Sequence, residues 1–264
     1  MKRQNLMTLI FLCFTMVIVL GFTLVQNYTG TQKVAEISTI TPAANQTSTP
    51  QTVEKENTNS TKELSTIKNT DSISMKNTLF IGDSRTVGLM EYAQIEDAHF
   101  FCNVGLSVFN IYDNSVSVPH VGKVTLEQLL NSKKYSKIYI MLGVNEMGYP
   151  FKKIISQYKQ LITFIQEREP SVKIMIMANL HVTQSRSQND KTFNNHAINR
   201  LNTTLRTFAD SKSIFYLDAN ALFDDQNGAL SADKSSDNAH LYAKYYKEWG
   251  NWIIQQTSLL LKEE

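Results

Sequence analysis

Residues 78–89 read TLFIGDSRTVGL. A short apolar run, Leu79-Phe80-Ile81, stops at Gly82-Asp83-Ser84, and a helical stretch follows over 85–94. An apolar run of this length closed by turn residues reads as a buried strand. The segment therefore predicts a strand over 78–81 that turns sharply into a helix, with Ser84 at the helix start. A serine there has two readings. It caps the helix through its hydroxyl, or it offers that hydroxyl where unpaired amides and the helix dipole favour negative charge.

The same pattern recurs along the chain. Apolar runs at 99–104, 137–142, 172–178 and 213–217 predict four more strands. None alternates cleanly, which is how strands covered on both faces read. Between them lie amphipathic helical patterns. Residues 151–168 place Phe151, Ile154, Ile155, Tyr158, Leu161, Ile162 and Ile165 at helical spacing before Pro170 ends the run. Residues 191–210 do the same with Phe193, Ala197, Leu201, Leu205 and Phe208. Shorter helices fit 85–94 and 123–132, and a last one is expected from about His240 to the end. Alternating strands and helices predict an α/β fold: a parallel sheet with helices on both faces, every strand's carboxyl end on one edge, and a ligand site there.

That domain occupies 76–264 of the 264 residues. Residues 6–25, LMTLIFLCFTMVIVLGFTLV, carry no charge and are long enough to span a bilayer as a helix. Lys2 and Arg3 precede them, which orients residues 1–5 to the cytoplasm and the rest outward. A cleaved signal peptide is the competing reading, which would leave the protein secreted. The following QNYTGTQK lacks the small-residue cleavage pattern, so an uncleaved anchor is expected. Residues 26–75, rich in Thr, Ser, Asn, Gln and Lys, are expected to be a disordered tether. The sequons at Asn27, Asn45 and Asn59 fall in that tract as accidents of composition. A formal net charge of +2 without a basic stripe gives no sign of a nucleic-acid partner. Cys13 and Cys102, one of them in the apolar segment, predict neither a disulfide nor a thiol metal site.

Chemistry concentrates at the expected strand ends: Gly82-Asp83-Ser84, Asn103-Val104-Gly105 and Gly143-Val144-Asn145. The domain holds eight glycines, and three of them stand there beside small polar or amide residues. The amides of Ser84 and Gly105 and the side-chain amide of Asn145 form a plausible three-donor oxyanion hole. A nucleophilic serine also needs a base. Of five histidines, His240 stands out in SDNAHLYAKYY, three residues after Asp237 and after the polar loop 224–238. That spacing brings a carboxylate to an imidazole across a turn, or else Asp237 merely caps the last helix. His99 and His196 read as structural, His120 lies in a loop, and His181, after the fourth strand, is within reach of the site.

These blocks together resemble the SGNH hydrolases, also called the GDSL esterase/lipase family. FIGDSRTVG is similar to their first block, CNVGLS to the second, LGVNE to the third and SDNAHL to the last. The resemblance implies a flavodoxin-like three-layer fold with five parallel strands in the order 2-1-3-4-5. It also implies a catalytic triad of Ser84, His240 and Asp237, oxyanion donors from Ser84, Gly105 and Asn145, and no metal or other cofactor. Two residues depart from the pattern: Arg85 stands where Leu is frequent, and Glu146 where Asp is frequent. Both, with His181 and the loop 181–192, are expected to meet a polar substrate.

The expected activity is that of an anchored extracytoplasmic serine esterase removing O-acyl groups, foremost O-acetyl, from a cell-envelope glycan. Acyl transfer to a sugar by the same residues, and an inactive surface-binding module, are the alternatives. Oligomeric state is not legible.

Overall fold

The computed structural model describes residues 73–262. The proposed anchor, all but the last residues of the tether, the sequons and Cys13 lie outside them. Among the described residues no helix is long and apolar enough to cross a membrane.

The main sheet has five parallel strands: β1 (Thr78–Gly82), β2 (Ala98–Cys102), β5 (Lys137–Met141), β6 (Lys173–Met177) and β7 (Ile214–Leu217). Their order is β2-β1-β5-β6-β7. The stated order 2-1-3-4-5 needs correcting in chain numbering, because a hairpin intervenes. It consists of β3 (Ser115–Val118) and β4 (Gly122–Thr125), which pair antiparallel as a separate two-stranded sheet. Its signal, SVSV running into Pro119 and Gly122, is a short alternating run with a turn.

Helices pack on both faces. They are α1 (Ser84–Tyr92), α2 (Leu126–Ser132), α3 (Phe151–Arg168), α4 (Gln184–Asn189), α5 (Asn195–Arg206), α6 (Asn220–Phe223) and α7 (Ala243–Lys262). Strand side chains alternate between the two layers, as a period of two requires. Leu79, Ile81, Ile138, Ile140, Ile174 and Ile176 face one core with Leu129 of α2, Leu161 of α3 and Leu205 of α5. Phe80, Phe100, Tyr139, Met141, Met175 and Met177 face the other, with Leu89 of α1 and Trp249 of α7. In that second layer Phe80 stacks on its register partners Phe100 and Tyr139, with ring centroids 4.8 and 4.4 Å apart. The Tyr139 hydroxyl, buried among apolar groups, is satisfied by Thr257 Oγ1 at 2.7 Å.

Several boundaries differ from expectation. The pattern over 191–210 shortens to α5, because Asn194 caps it by accepting the Ala197 N–H, and the expected loop 181–192 carries the short helix α4. The last helix starts at Ala243, three residues after His240. Strand β2 ends at Cys102, so Asn103 and Gly105 belong to the following loop. Met75, just ahead of the expected domain start, is buried in the second core.

Candidate active site

The site is built where β1 meets α1. Asp83 is the helix cap: its carboxylate accepts the Arg85 N–H at 3.0 Å. The capping duty falls on the residue before Ser84, and the Ser84 hydroxyl is left free. Gly82 permits this turn, because a Cβ there would collide with the Thr86 side chain and lie 2.8 Å from the Met141 carbonyl oxygen.

Ser84 Oγ lies 2.8 Å from His240 Nε2, and His240 Nδ1 lies 2.6 Å from Asp237 Oδ2. With Nδ1–H donating to the carboxylate, Nε2 is left as the acceptor for the serine O–H. Asp237 also accepts the backbone N–H groups of His240 and Ala239, at 2.8 and 2.9 Å. Partial burial pushes its carboxyl upward, but the bonds from the His240 amide, the His240 ring and the Ala239 amide win and hold it well below the usual carboxylate range. Asp237 is thus an anion poised against an imidazole, and it does not cap α7.

The loop carrying these two residues is pinned from outside. Arg85 Nη2 donates to the Ala239 carbonyl at 3.3 Å. Thr183 donates its N–H to Asn238 O and its hydroxyl to Asn238 Oδ1, at 3.0 and 2.8 Å. Asn238 takes a left-handed φ of 69°, which asparagine tolerates better than most residues.

The other candidates lie on the loops after β2 and β5. Gly105 has a φ of +77° and is exposed. Among the described residues no acceptor takes its N–H or that of Ser84. Asn145 Nδ2 donates one hydrogen to Leu106 O at 3.0 Å, which fixes its amide beside the Gly105 loop and leaves a second hydrogen.

Residues 80–247 match the GDSL-like lipase/acylhydrolase family model. The chain belongs to this family. It is a serine hydrolase that acts on carboxylic esters. Solved structures share the fold at low identity. A GDSL-like lipase from Bacteroides thetaiotaomicron is 14% identical with a TM-score of 0.53, covering 72% of this chain and 89% of its own. An acetyl xylan esterase is 14% identical with a TM-score of 0.51, covering 68% and 98%. A Streptococcus pneumonia protein is 19% identical with a TM-score of 0.52, covering 70% and 82%. No curated protein sequence matches the chain significantly.

Three residues expected to contact substrate do not reach the surface of this GDSL-family site. Arg85, in the first turn of α1, is 2% exposed, with its guanidinium 5.5 Å from the Phe193 ring centroid. Glu146 is fully buried. His181 is 9% exposed and engaged at both nitrogens, by Asp224 and Asn199 at 2.8 Å each. Burial lowers the affinity of His181 for a proton, yet those two acceptors outweigh it and raise its pKa above the ordinary value. All three are framework residues. The segment 181–192 likewise spends Thr183 on the His240 loop and on capping α4.

Proposed function

We propose that the protein deacylates a cell-envelope carbohydrate, with Ser84 as nucleophile, His240 as general base and then acid, and Asp237 as the group that orients and stabilises the imidazolium. The observation that carries the reading is the continuous chain Ser84 Oγ–His240 Nε2, Nδ1–Asp237 Oδ2, at 2.8 and 2.6 Å, at the carboxyl edge of the sheet. In the first half-reaction Ser84 Oγ bonds to the ester carbon while its proton passes to His240 Nε2. The tetrahedral oxyanion is met by the Ser84 and Gly105 amides and the free Asn145 hydrogen. The C–O bond to the sugar breaks as His240 returns the proton to the departing alkoxide. Water then repeats the sequence on the acyl-serine and releases the acid.

Two features favour a polymeric, polar acyl bearer. Three exposed apolar side chains, Val104, Tyr149 and Tyr242, each lie within four residues of a site residue on separate loops. Exposed tyrosines of this kind present flat amphipathic faces that suit pyranose rings. The fold is also shared with an acetyl xylan esterase. The apolar segment 6–25 and the polar tract behind it suit an enzyme held at a membrane and reaching outward.

The test is acetate release by the full chain from O-acetylated wall glycan, beside an activated aryl acetate and the Ser84→Ala variant. Release from both substrates is expected, with the variant at least about 10⁴-fold slower. Turnover of the aryl ester without release from the glycan would overturn the substrate assignment. Acetyl groups appearing on an added oligosaccharide in place of free acetate would replace hydrolysis by transfer. Wild-type rates in the variant would overturn the role of Ser84.

A further inference from the structure

Glu146 is the carboxylate that the reaction scheme leaves unused. It directly follows Asn145, yet its side chain turns away from solvent into the first core. There Oε1 accepts the backbone N–H of Val108, while Oε2 is buried with no hydrogen-bond partner. Val108 belongs to the loop that carries Gly105. The same loop is held by the adjacent Asn145 through Leu106 O, and Leu106 and Val108 themselves plug into the first core. Two successive residues after β5 therefore grip the loop after β2, one at a carbonyl and one at an amide.

We propose that Glu146 is a positioning residue for the oxyanion donors: as a carboxylate it fixes the Gly105 loop through Val108, and protonation loosens that grip. This rests on the triad and oxyanion reading above. An ionised acceptor makes a shorter and stronger bond to an amide than a neutral carboxyl does. The groups that face it are the Asp83 carboxyl at the end of β1, whose Oδ2 is likewise buried and unpartnered, and the Tyr158 hydroxyl from α3. Arg85 lies beside Asp83 and partly balances it. Burial first, and then the Asp83 charge, raise the Glu146 carboxyl to about 7, against the Val108 bond and the nearby amides of Glu146 itself and Gly143, which lower it. The grip therefore changes within the neutral range.

The experiment measures kcat and KM for an aryl acetate from pH 5 to 9 with the full chain, Glu146→Gln, Glu146→Ala and Ser84→Ala. Glu146→Ala removes the acceptor, and kcat should fall about 10- to 100-fold with KM within about threefold, as for a misplaced donor. Glu146→Gln keeps an acceptor oxygen, and kcat at neutral pH should stay within about tenfold of wild type. In wild type, protonating Glu146 should add a fall of up to about tenfold to the acid limb, making log kcat against pH locally steeper than one near neutrality, and this extra step should be missing in Glu146→Gln. Wild-type kcat in Glu146→Ala, or an unchanged acid limb in Glu146→Gln, would overturn the proposal. If Glu146→Ala does not fold, the isosteric Gln variant alone decides it. An active Ser84→Ala would instead overturn the underlying triad reading, whatever the Glu146 variants do.

Discussion

Asp237 and Glu146 are carboxyls driven in opposite directions by their surroundings. Asp237, half exposed and bonded by two amides and an imidazole, stays an anion. Its exchange for Asn should leave the fold intact but favour the wrong imidazole tautomer, and kcat should drop about 10²- to 10⁴-fold in steady-state assays. Glu146 has the reverse consequence for stability. Its folded-state pKa is raised from 4.5 to about 7, so its contribution is full below about 4.5 and is lost as pH rises through 7. At about 1.4 kcal/mol per unit the loss is about 3 kcal/mol by pH 8. The thermal midpoint of the wild type should therefore fall by several degrees more between pH 5 and 8 than that of Glu146→Gln. Equal pH dependence in the two proteins would contradict this. The meeting of Ser84, His240 and Asp237 was legible in the sequence because GDS and D-x-x-H carry local spacing. The surroundings of Arg85, Glu146 and His181 were not. Each is a polar residue beside a motif, and only long-range packing, by Ala239, Val108 and Asp224 respectively, shows that it faces inward.

Elements were read best where periodicity was strong. The seven apolar positions anticipated for α3 include all five of its fully buried residues, with Phe151 and Ile155 partly buried beside them. The β3–β4 hairpin escaped because its strands are four residues long and half polar, so no apolar run marks them. The start of α7 was misplaced because Asp237 resembles a cap while its oxygens are spent on the His240 loop. Helix α1 packs on α7, and Gly88 of α1 faces Tyr246 there. A Cβ at Gly88 would lie within 2.5 Å of the Tyr246 side chain, which is itself 3% exposed. Gly88→Ala should therefore overpack this interface and destabilise the domain by about 1–3 kcal/mol, measured by denaturant unfolding. A neutral or stabilising change would mean that the two helices separate at little cost.

At the scale of the whole molecule, the parallel sheet gathers residues 84, 105, 145, 237 and 240, far apart in the chain, at one edge. That gathering follows from topology: right-handed crossovers between parallel strands put every strand's carboxyl end, and the loop behind it, on one side of the sheet. The proposed anchor belongs to the same scale. The full chain made in a bacterium should sediment with membranes and resist a high-salt wash, while a chain lacking residues 1–25 should stay in the supernatant. A full-length, uncleaved chain in the supernatant would contradict the anchor. The most direct measurement of the central claim is covalent labelling by a fluorophosphonate, with the modified peptide mapped by mass spectrometry in wild type and His240→Ala. A single adduct on Ser84 in the wild type, formed far more slowly without His240, is the predicted result. An adduct on another residue, or none under conditions where the enzyme turns over an ester, would contradict it.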